Sequence, residues 1–134
     1  MPFTAKQARC AGCQAALDAV NQPIEAPSAA AFDALIAVAP TPVIVDFWAP
    51  WCGPCRVVAP ELERVAASKS GAYLVVKVNT DAVPELGERF RIRSIPTMAV
   101  FERGREIART SGARPAADIE AFVSQSLATA HARS

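Results

Sequence analysis

The sequence predicts an α/β domain in which helices and strands alternate along the chain. Residues 43–48 (VIVDFW) are apolar at both alternating positions except for one acid, which is typical of a central strand covered on both faces. Apolar residues after Cys55 recur instead at helical spacing as far as Gly71, and a β-branched run follows at residues 73–79. Together with the elements described next, this alternation predicts the order αβαβαββα.

An N-cap residue and several prolines help to define the helices on either side of the central strand. A helix is predicted over residues 29–38, because Ser28 is a favourable N-cap residue and Pro40 and Pro42 block its continuation. The helix after the central strand contains Pro60, which is expected to kink it by clashing with the preceding turn.

The remaining elements complete the alternation. A short helix is predicted over residues 83–90. Residues 97–101 and 106–110 have strand patterns about a turn at residues 103–105, so they are expected to pair as an antiparallel hairpin. Residues 115–127 are predicted to close the chain as a helix with one apolar face.

Length and charge restrict the classes of function. At 134 residues the chain is expected to hold one domain with a core of ordinary size. Its 14 Lys and Arg nearly cancel its 13 Asp and Glu, so neither nucleic acid nor an anionic membrane is expected as the main partner. No apolar run is long enough to cross a bilayer. Residues 1–20 lack the apolar core of a secretory signal, so a cytoplasmic location is expected.

Two regions are predicted along the chain. Residues 1–27 are expected to form a short N-terminal appendage and linker, and residues 28–134 the main domain. The appendage holds Cys10-Ala-Gly-Cys13, and Pro23 and Pro27 discourage a helix from running through it into the domain.

The cysteine pair Cys52-Gly-Pro-Cys55 is the strongest functional signal. Disulfide exchange needs an attacking thiolate and a second thiol close enough to resolve the mixed disulfide, and CxxC supplies both. The pair follows a strand and opens a helix, where free backbone N–H groups and the helix dipole favour a thiolate. We therefore predict that Cys52 is the nucleophile and that Cys55, shielded one turn further in, resolves the intermediate.

The alternative interpretation is that this pair is half of a zinc site, since CxxC is also a common zinc-ligand spacing. A four-cysteine site would place its other pair about 15–20 residues away. Residues 14–51 lie between Cys13 and Cys52, which is a longer separation. The spacing and the strand-to-helix setting favour redox chemistry.

The segments VDFWAPWCGPC, KVNTD and IRSIPT resemble the thioredoxin family in order and spacing, over about residues 28–128. The pair in the appendage makes the thioredoxin 2 type the nearest resemblance. The resemblance implies the thioredoxin fold, a central mixed sheet flanked by helices. It also implies reduction of disulfides in protein substrates, recharging by a flavin-dependent, NADPH-consuming thioredoxin reductase, and no required cofactor.

Asp46 corresponds to the family's buried acid beneath the active site, and Lys77 to the lysine near it. Burial within an apolar strand is expected to raise the pKa of Asp46, because it disfavours the charged form. Such an acid could accept the proton of Cys55 through water. The alternatives are a solvent-facing acid on an edge strand and a lysine that merely extends its ammonium to solvent.

Pro96 matches the family's cis-proline, which faces the cysteines and leaves a backbone edge for the substrate chain. The substrate-binding residues implied by the resemblance are Trp51, Gly53, Pro54, Ile95, Pro96 and Gly112. Trp48 could serve the core or the function. Arg91 departs from the glycine that the family frequently has at this position, so it is expected to alter the charge near the substrate groove.

Two rival functions stay open. The first is a disulfide oxidase or isomerase on the same scaffold, although Gly53-Pro54 resembles the reducing members. The second is an interaction module in which redox turnover is incidental. Retention of Trp-Cys-Gly-Pro-Cys together with Asp46 and Pro96 argues against that second function.

The appendage pair Cys10 and Cys13 resembles part of the N-terminal zinc module of the thioredoxin 2 type, which uses two CxxC pairs. Only one such pair precedes the domain here. Its possible roles are a reversible disulfide, a zinc site shared between two chains, or free thiols. His131 is distant in sequence and is expected to be a tail residue rather than a ligand.

We predict little or no zinc at one metal per chain, because Cys10 and Cys13 supply only two of the four ligands of a closed site. Elemental analysis of protein purified under reducing conditions measures the stoichiometry. The matched control is the double variant Cys10→Ser, Cys13→Ser, and one zinc per chain that this variant loses would contradict the prediction.

Overall fold

A computed structural model of the chain describes residues 21–132, and within them five strands form a single sheet. The strands are β1 (Ile24–Glu25), β2 (Val43–Trp48), β3 (Leu74–Asn79), β4 (Thr97–Glu102) and β5 (Arg105–Ser111). The helices are α1 (Ala29–Val38), α2 (Gly53–Ser68), α3 (Pro84–Arg89) and α4 (Ala116–Ala132). None of these helices is long and apolar enough to span a membrane.

The sheet is mixed, with the strand order β1-β3-β2-β4-β5. β3 pairs in parallel with β1 and with β2, whereas β4 pairs in antiparallel fashion with β2 and with β5. β2 is therefore the central strand, as its two-sided apolar pattern predicts. The predicted α/β class, mixed sheet and hairpin are confirmed.

Each face of the sheet carries its own apolar core. On one face, α1 and α3 cover a cluster that includes Phe32 and Leu86. On the other, α2 and α4 cover a cluster that includes Leu62 and Ile119. Because side chains alternate along a strand, Ile44 and Asp46 point to the face covered by α2 and α4. The acid of β2 is thus directed under the helix that begins at the cysteine pair.

The main difference from the sequence prediction is β1, which lies in the segment expected to be linker. Ile24 aligns with Val76 and Glu25 with Lys77, so these two residues form an edge strand beside β3. A two-residue strand is too short to show an alternating pattern, and only pairing with β3 defines it. The predicted division at residue 27 stays a prediction for the appendage itself, because residues 1–20 lie outside the described part of the chain.

Two smaller differences concern the helices. α4 continues to Ala132, beyond the predicted end at Leu127, since no proline or glycine follows to stop it. α2 runs continuously through Pro60 from Gly53 to Ser68, and a kink there stays a prediction.

Candidate active site

The cysteine pair lies where β2 gives way to α2. Cys52 is the N-cap residue of α2, with extended backbone angles, and Gly53 and Pro54 are the first exposed residues of the helix. Cys52 and Cys55 form a disulfide, with their Cα atoms 5.2 Å apart. This geometry is that of a pair which can close and open a disulfide within one helical turn.

The first turn of α2 supplies a hydrogen-bond donor to the Cys52 sulfur. The backbone N–H of Cys55 donates to Sγ of Cys52 over 3.2 Å. First-turn N–H groups have no partner within the helix, and with the helix dipole they stabilise negative charge. A thiolate at Cys52 would therefore be stabilised, whereas no such donor to Sγ of Cys55 is found in the described part of the chain.

Exposure does not separate the two cysteines, because each is only 4% exposed. The sequence predicts that Cys55 is the shielded one, and the structure shields both in this disulfide state. The assignment of Cys52 as nucleophile therefore depends on its place at the helix end and on the donor from Cys55.

The loop before β4 faces the cysteine pair. The Ile95–Pro96 peptide bond is cis, as the matched motif implies. The carbonyl oxygen of Ile95 lies 3.8 Å from Sγ of Cys52. Gly112, with φ at +96°, donates its N–H to the carbonyl of Pro96 over 2.9 Å. The structure thus brings Ile95 beside Cys52, although residues 53–94 separate them in sequence, and it brings Gly112 beside Pro96.

Trp51 precedes Cys52 in the chain and lines a cleft together with Ile95. Its side chain is 68% exposed, which is unusual for a tryptophan, and its indole N–H donates to Oδ1 of Asp81 over 3.4 Å. A cleft of about 180 Å³ lies beside it, lined by Trp51, Thr80, Gly87, Ile92, Arg93, Ser94 and Ile95. Asp81 was not among the predicted site residues, although it ends the quoted segment KVNTD.

Asp46 is fully buried, and neither of its carboxylate oxygens has a hydrogen-bond partner among residues 21–132. Burial raises its pKa from 3.8 to about 7, which the positive charge of Lys77 opposes and the negative charge of Glu25 reinforces. The residue can therefore exchange a proton near neutral pH.

Strand register explains why these three charges meet. Glu25, Lys77 and Asp46 are aligned across β1, β3 and β2, so their side chains form a row on one face of the sheet. Sequence reasoning missed Glu25, because it placed β1 in the linker. The only sequence signal was a single acid after an isoleucine, which is too weak to identify a site residue.

Glu25 also holds the neighbouring tryptophan. Its Oε2 accepts hydrogen bonds from the indole N–H of Trp48 over 3.2 Å and from the backbone N–H of Asn79 over 3.1 Å. Burial raises the pKa of Glu25, and these two donors and Lys77 act against that rise. Nζ of Lys77 lies 4.7 Å from the centre of the Trp48 ring. Trp48 thus belongs to the charged row beside the redox site.

The second predicted site, Cys10 and Cys13, lies outside the described residues. Within residues 21–132, no three His, Cys, Asp or Glu side chains are grouped as metal ligands would be. Nε2 of His131 lies instead 2.9 Å from Oε2 of Glu102, at the far end of β4.

Comparison with known proteins identifies the family of this fold and site. The thioredoxin family profile matches residues 23–125. Thioredoxin 1 of a Nostoc strain is 51% identical over 74 residues, which cover 55% of this chain and 69% of that protein. The chloroplastic M-type thioredoxin of Pisum sativum is 40% identical over 104 residues, which cover 78% of this chain and 60% of that protein.

Solved structures agree. Chloroplastic thioredoxin z has a TM-score of 0.72 and 37% identity, covering 80% of this chain and 96% of that chain. An N21Q mutant thioredoxin from Halobacterium salinarum NRC-1 has a TM-score of 0.73 over 80% of this chain and 92% of that chain; at 22% identity it supports the fold alone. Taken with the disulfide at the start of α2, these matches show that the chain belongs to the thioredoxin family and is a thiol–disulfide oxidoreductase.

Proposed function

We propose that the protein reduces disulfide bonds in protein substrates and that Cys52 and Cys55 perform the exchange. The observation that carries this proposal is the position of the Cys52 sulfur. It accepts the N–H of Cys55 at the start of α2, and it lies 3.8 Å from the carbonyl of Ile95 in the loop that also holds the cis-proline. In the reduced protein the same sulfur would be stabilised as a thiolate, and it lies beside the backbone of Ile95.

The exchange proceeds in two attacks. In the reduced protein, the thiolate of Cys52 attacks one sulfur of the substrate disulfide, and the other substrate sulfur leaves as a thiolate that takes up a proton. The thiolate of Cys55 then attacks the Cys52 sulfur of this mixed disulfide. That step releases the second substrate thiolate and leaves the Cys52–Cys55 disulfide, the state seen here. Two electrons pass to the substrate.

Asp46 is proposed to accept the proton of Cys55 through water, because Cys55 must lose a proton before the second attack. Its raised pKa suits that exchange near neutral pH. Lys77 stabilises the ionised form that results, and Glu25 opposes it. An open cleft reaches Lys77, the strand neighbour of Asp46, and it is lined by Asn21, Gln22, Pro23, Ala59, Glu63 and Lys77.

The substrate chain is proposed to lie across the site between Trp51 and the Ile95–Pro96 loop. Gly53 and Pro54 are exposed beside the sulfur, and Gly112 supports the loop through the carbonyl of Pro96. We further propose that a flavin-dependent, NADPH-consuming thioredoxin reductase recharges the disulfide. A cytoplasmic location stays a prediction from the sequence.

Likeness to the thioredoxin 2 type is supported only by Cys10-Ala-Gly-Cys13 ahead of the domain. The three roles considered for that pair stay open, and the zinc measurement described above distinguishes the shared metal site from the other two.

Cys52→Ser is expected to abolish reduction of insulin disulfides, because no thiolate remains to attack. Cys55→Ser is expected to trap covalent mixed disulfides with substrates, because the resolving thiol is lost; denaturing gels without reductant would detect them. The control is the double variant Cys10→Ser, Cys13→Ser. It removes two thiols that do not belong to the Cys52–Cys55 pair, and it should retain activity. Full activity of Cys52→Ser would exclude the mechanism. A reduction potential of about −120 mV would instead indicate an oxidase.

Asp46→Asn is expected to slow the second attack by about a hundredfold while changing the first attack little, because only the second needs a proton removed from Cys55. Rapid-quench measurement of mixed-disulfide formation and decay would separate the two steps. Asp118→Asn, which makes the same change at an exposed position of α4, is the matched control. Equal slowing of both attacks would remove the proposed role of Asp46.

Asp46 is also expected to make folding stability fall as pH rises from about 4 to about 7. Over that range the unfolded chain ionises this carboxyl while the folded chain keeps it protonated, since its folded pKa is about 7 rather than 3.8. The accumulated loss is on the order of 4 kcal/mol, and below the unfolded pKa it vanishes. Denaturant unfolding of the oxidised protein across this range would measure the slope. Asp46→Asn should remove the contribution of this carboxyl to the slope and Asp118→Asn should retain it, so an equal slope in all three proteins would contradict the assignment.

A further inference from the structure

The cleft beside Trp51 does not end at the redox site. A second depression is lined by Thr80, Pro84, Gly87, Glu88, Arg91, Ile92 and Arg93. Four of these residues, Thr80, Gly87, Ile92 and Arg93, also line the cleft that contains Trp51 and Ile95. The two depressions therefore adjoin through these shared residues, and together we call them the groove: it extends from Trp51 and Ile95 past Arg93 to Arg91.

Two unpaired positive charges lie along this groove. Arg91 and Arg93 are exposed, and neither guanidinium forms an ion pair or hydrogen bond with another described residue. Arg89, close in sequence, differs because it donates to both carboxylate oxygens of Asp33, over 2.7 and 3.2 Å. Glu88 is the one carboxylate among the groove's lining residues. The groove thus offers two free guanidinium groups against one free carboxylate.

The backbone fixes where Arg91 stands. Its N–H donates to the carbonyl of Glu88 over 3.1 Å, and the next N–H, of Ile92, donates to Gly87 over 2.8 Å, so the chain turns at the end of α3. Arg91 has φ at 54°, a conformation that glycine adopts more readily. Arg103 in the β4–β5 turn has the same backbone conformation, with φ at 55°, so the conformation by itself does not indicate a function for Arg91. What distinguishes Arg91 is its place on the groove.

We propose that this groove selects protein substrates which carry an acidic side chain within a few residues of the disulfide to be reduced. A carboxylate there would accept charge-assisted hydrogen bonds from the guanidinium groups of Arg91 and Arg93, whose planar donors suit two parallel bonds. Arg91 is then a determinant of specificity and takes no part in the exchange. The inference depends on the proposed reduction of protein disulfides, since the groove acts only on chains that enter the redox site.

The test uses two disulfide-linked peptides that differ only in two flanking residues, both Glu in one and both Gln in the other. The protein is reduced chemically, freed of reductant and mixed with each peptide, so that no reductase takes part. The measured quantity is the second-order rate constant for the Glu peptide divided by that for the Gln peptide. This ratio is expected to fall about two- to fivefold in Arg91→Gly, which corresponds to the interaction energy of an exposed charge pair. Arg91→Glu should lower the ratio further, and Glu88→Gln should raise it.

Arg103→Gly is the matched control, because it removes the same charge from the same backbone conformation in the β4–β5 turn, outside the groove. It is expected to leave the ratio unchanged. Added salt should lower the ratio of the unaltered protein toward that of Arg91→Gly. An unchanged ratio in Arg91→Gly, or an equal fall in Arg103→Gly, would overturn the proposal while the reductase function stands. Failure of the unaltered protein to reduce either peptide would overturn the proposed function, and the selectivity with it.

Discussion

The chemistry of this protein depends on one hydrogen-bonded sulfur at the beginning of a helix. Sγ of Cys52 accepts the N–H of Cys55, one of the donors that the first turn of α2 leaves without a helical partner. Two conditions make this contact possible. β2 must end just before the pair, so that the chain turns into the helix there, and the apolar face of α2 must be packed against the sheet. Val58, Leu62 and Val65, all fully buried, meet the second condition.

Packing of α2 on the sheet also creates the unusual electrostatics beneath the site. The face of the sheet that packs against Leu62 of α2 also carries the carboxyl of Asp46, which is fully buried and has no hydrogen-bond partner within the described residues. An unpaired buried carboxyl costs stability unless it is protonated, so its pKa rises to about 7. Lys77 and Glu25 adjust that pKa in opposite directions, because strand register aligns both with Asp46. The same burial that makes ionised Asp46 unfavourable for stability thus allows this carboxyl to exchange a proton near neutral pH.

Access to the sulfur is governed by segments distant in sequence. The cis-proline loop presents the carbonyl of Ile95 to Cys52, and Gly112 braces that loop through the carbonyl of Pro96. Trp51 shares a cleft with Ile95, and the adjoining depression is lined by residues of α3 and of the segments on either side of it. In the proposals made here, chemistry and selection are assigned to different groups. The exchange would use groups at the start of α2, whereas residues that flank the substrate's disulfide would contact side chains such as Arg91.

By itself the sequence determined the α/β class, the central position of β2, the antiparallel hairpin and the cysteine pair between a strand and a helix. These features depend on local periodicity, on prolines and on the spacing of two cysteines, all of which act over a few residues. Tertiary structure alone decided that Ile24–Glu25 joins the sheet, that Glu25 and Lys77 align with Asp46, and that Asp81 contacts Trp51. Each of those contacts joins side chains or strands from separate segments, and their register and packing are set only when the whole sheet assembles.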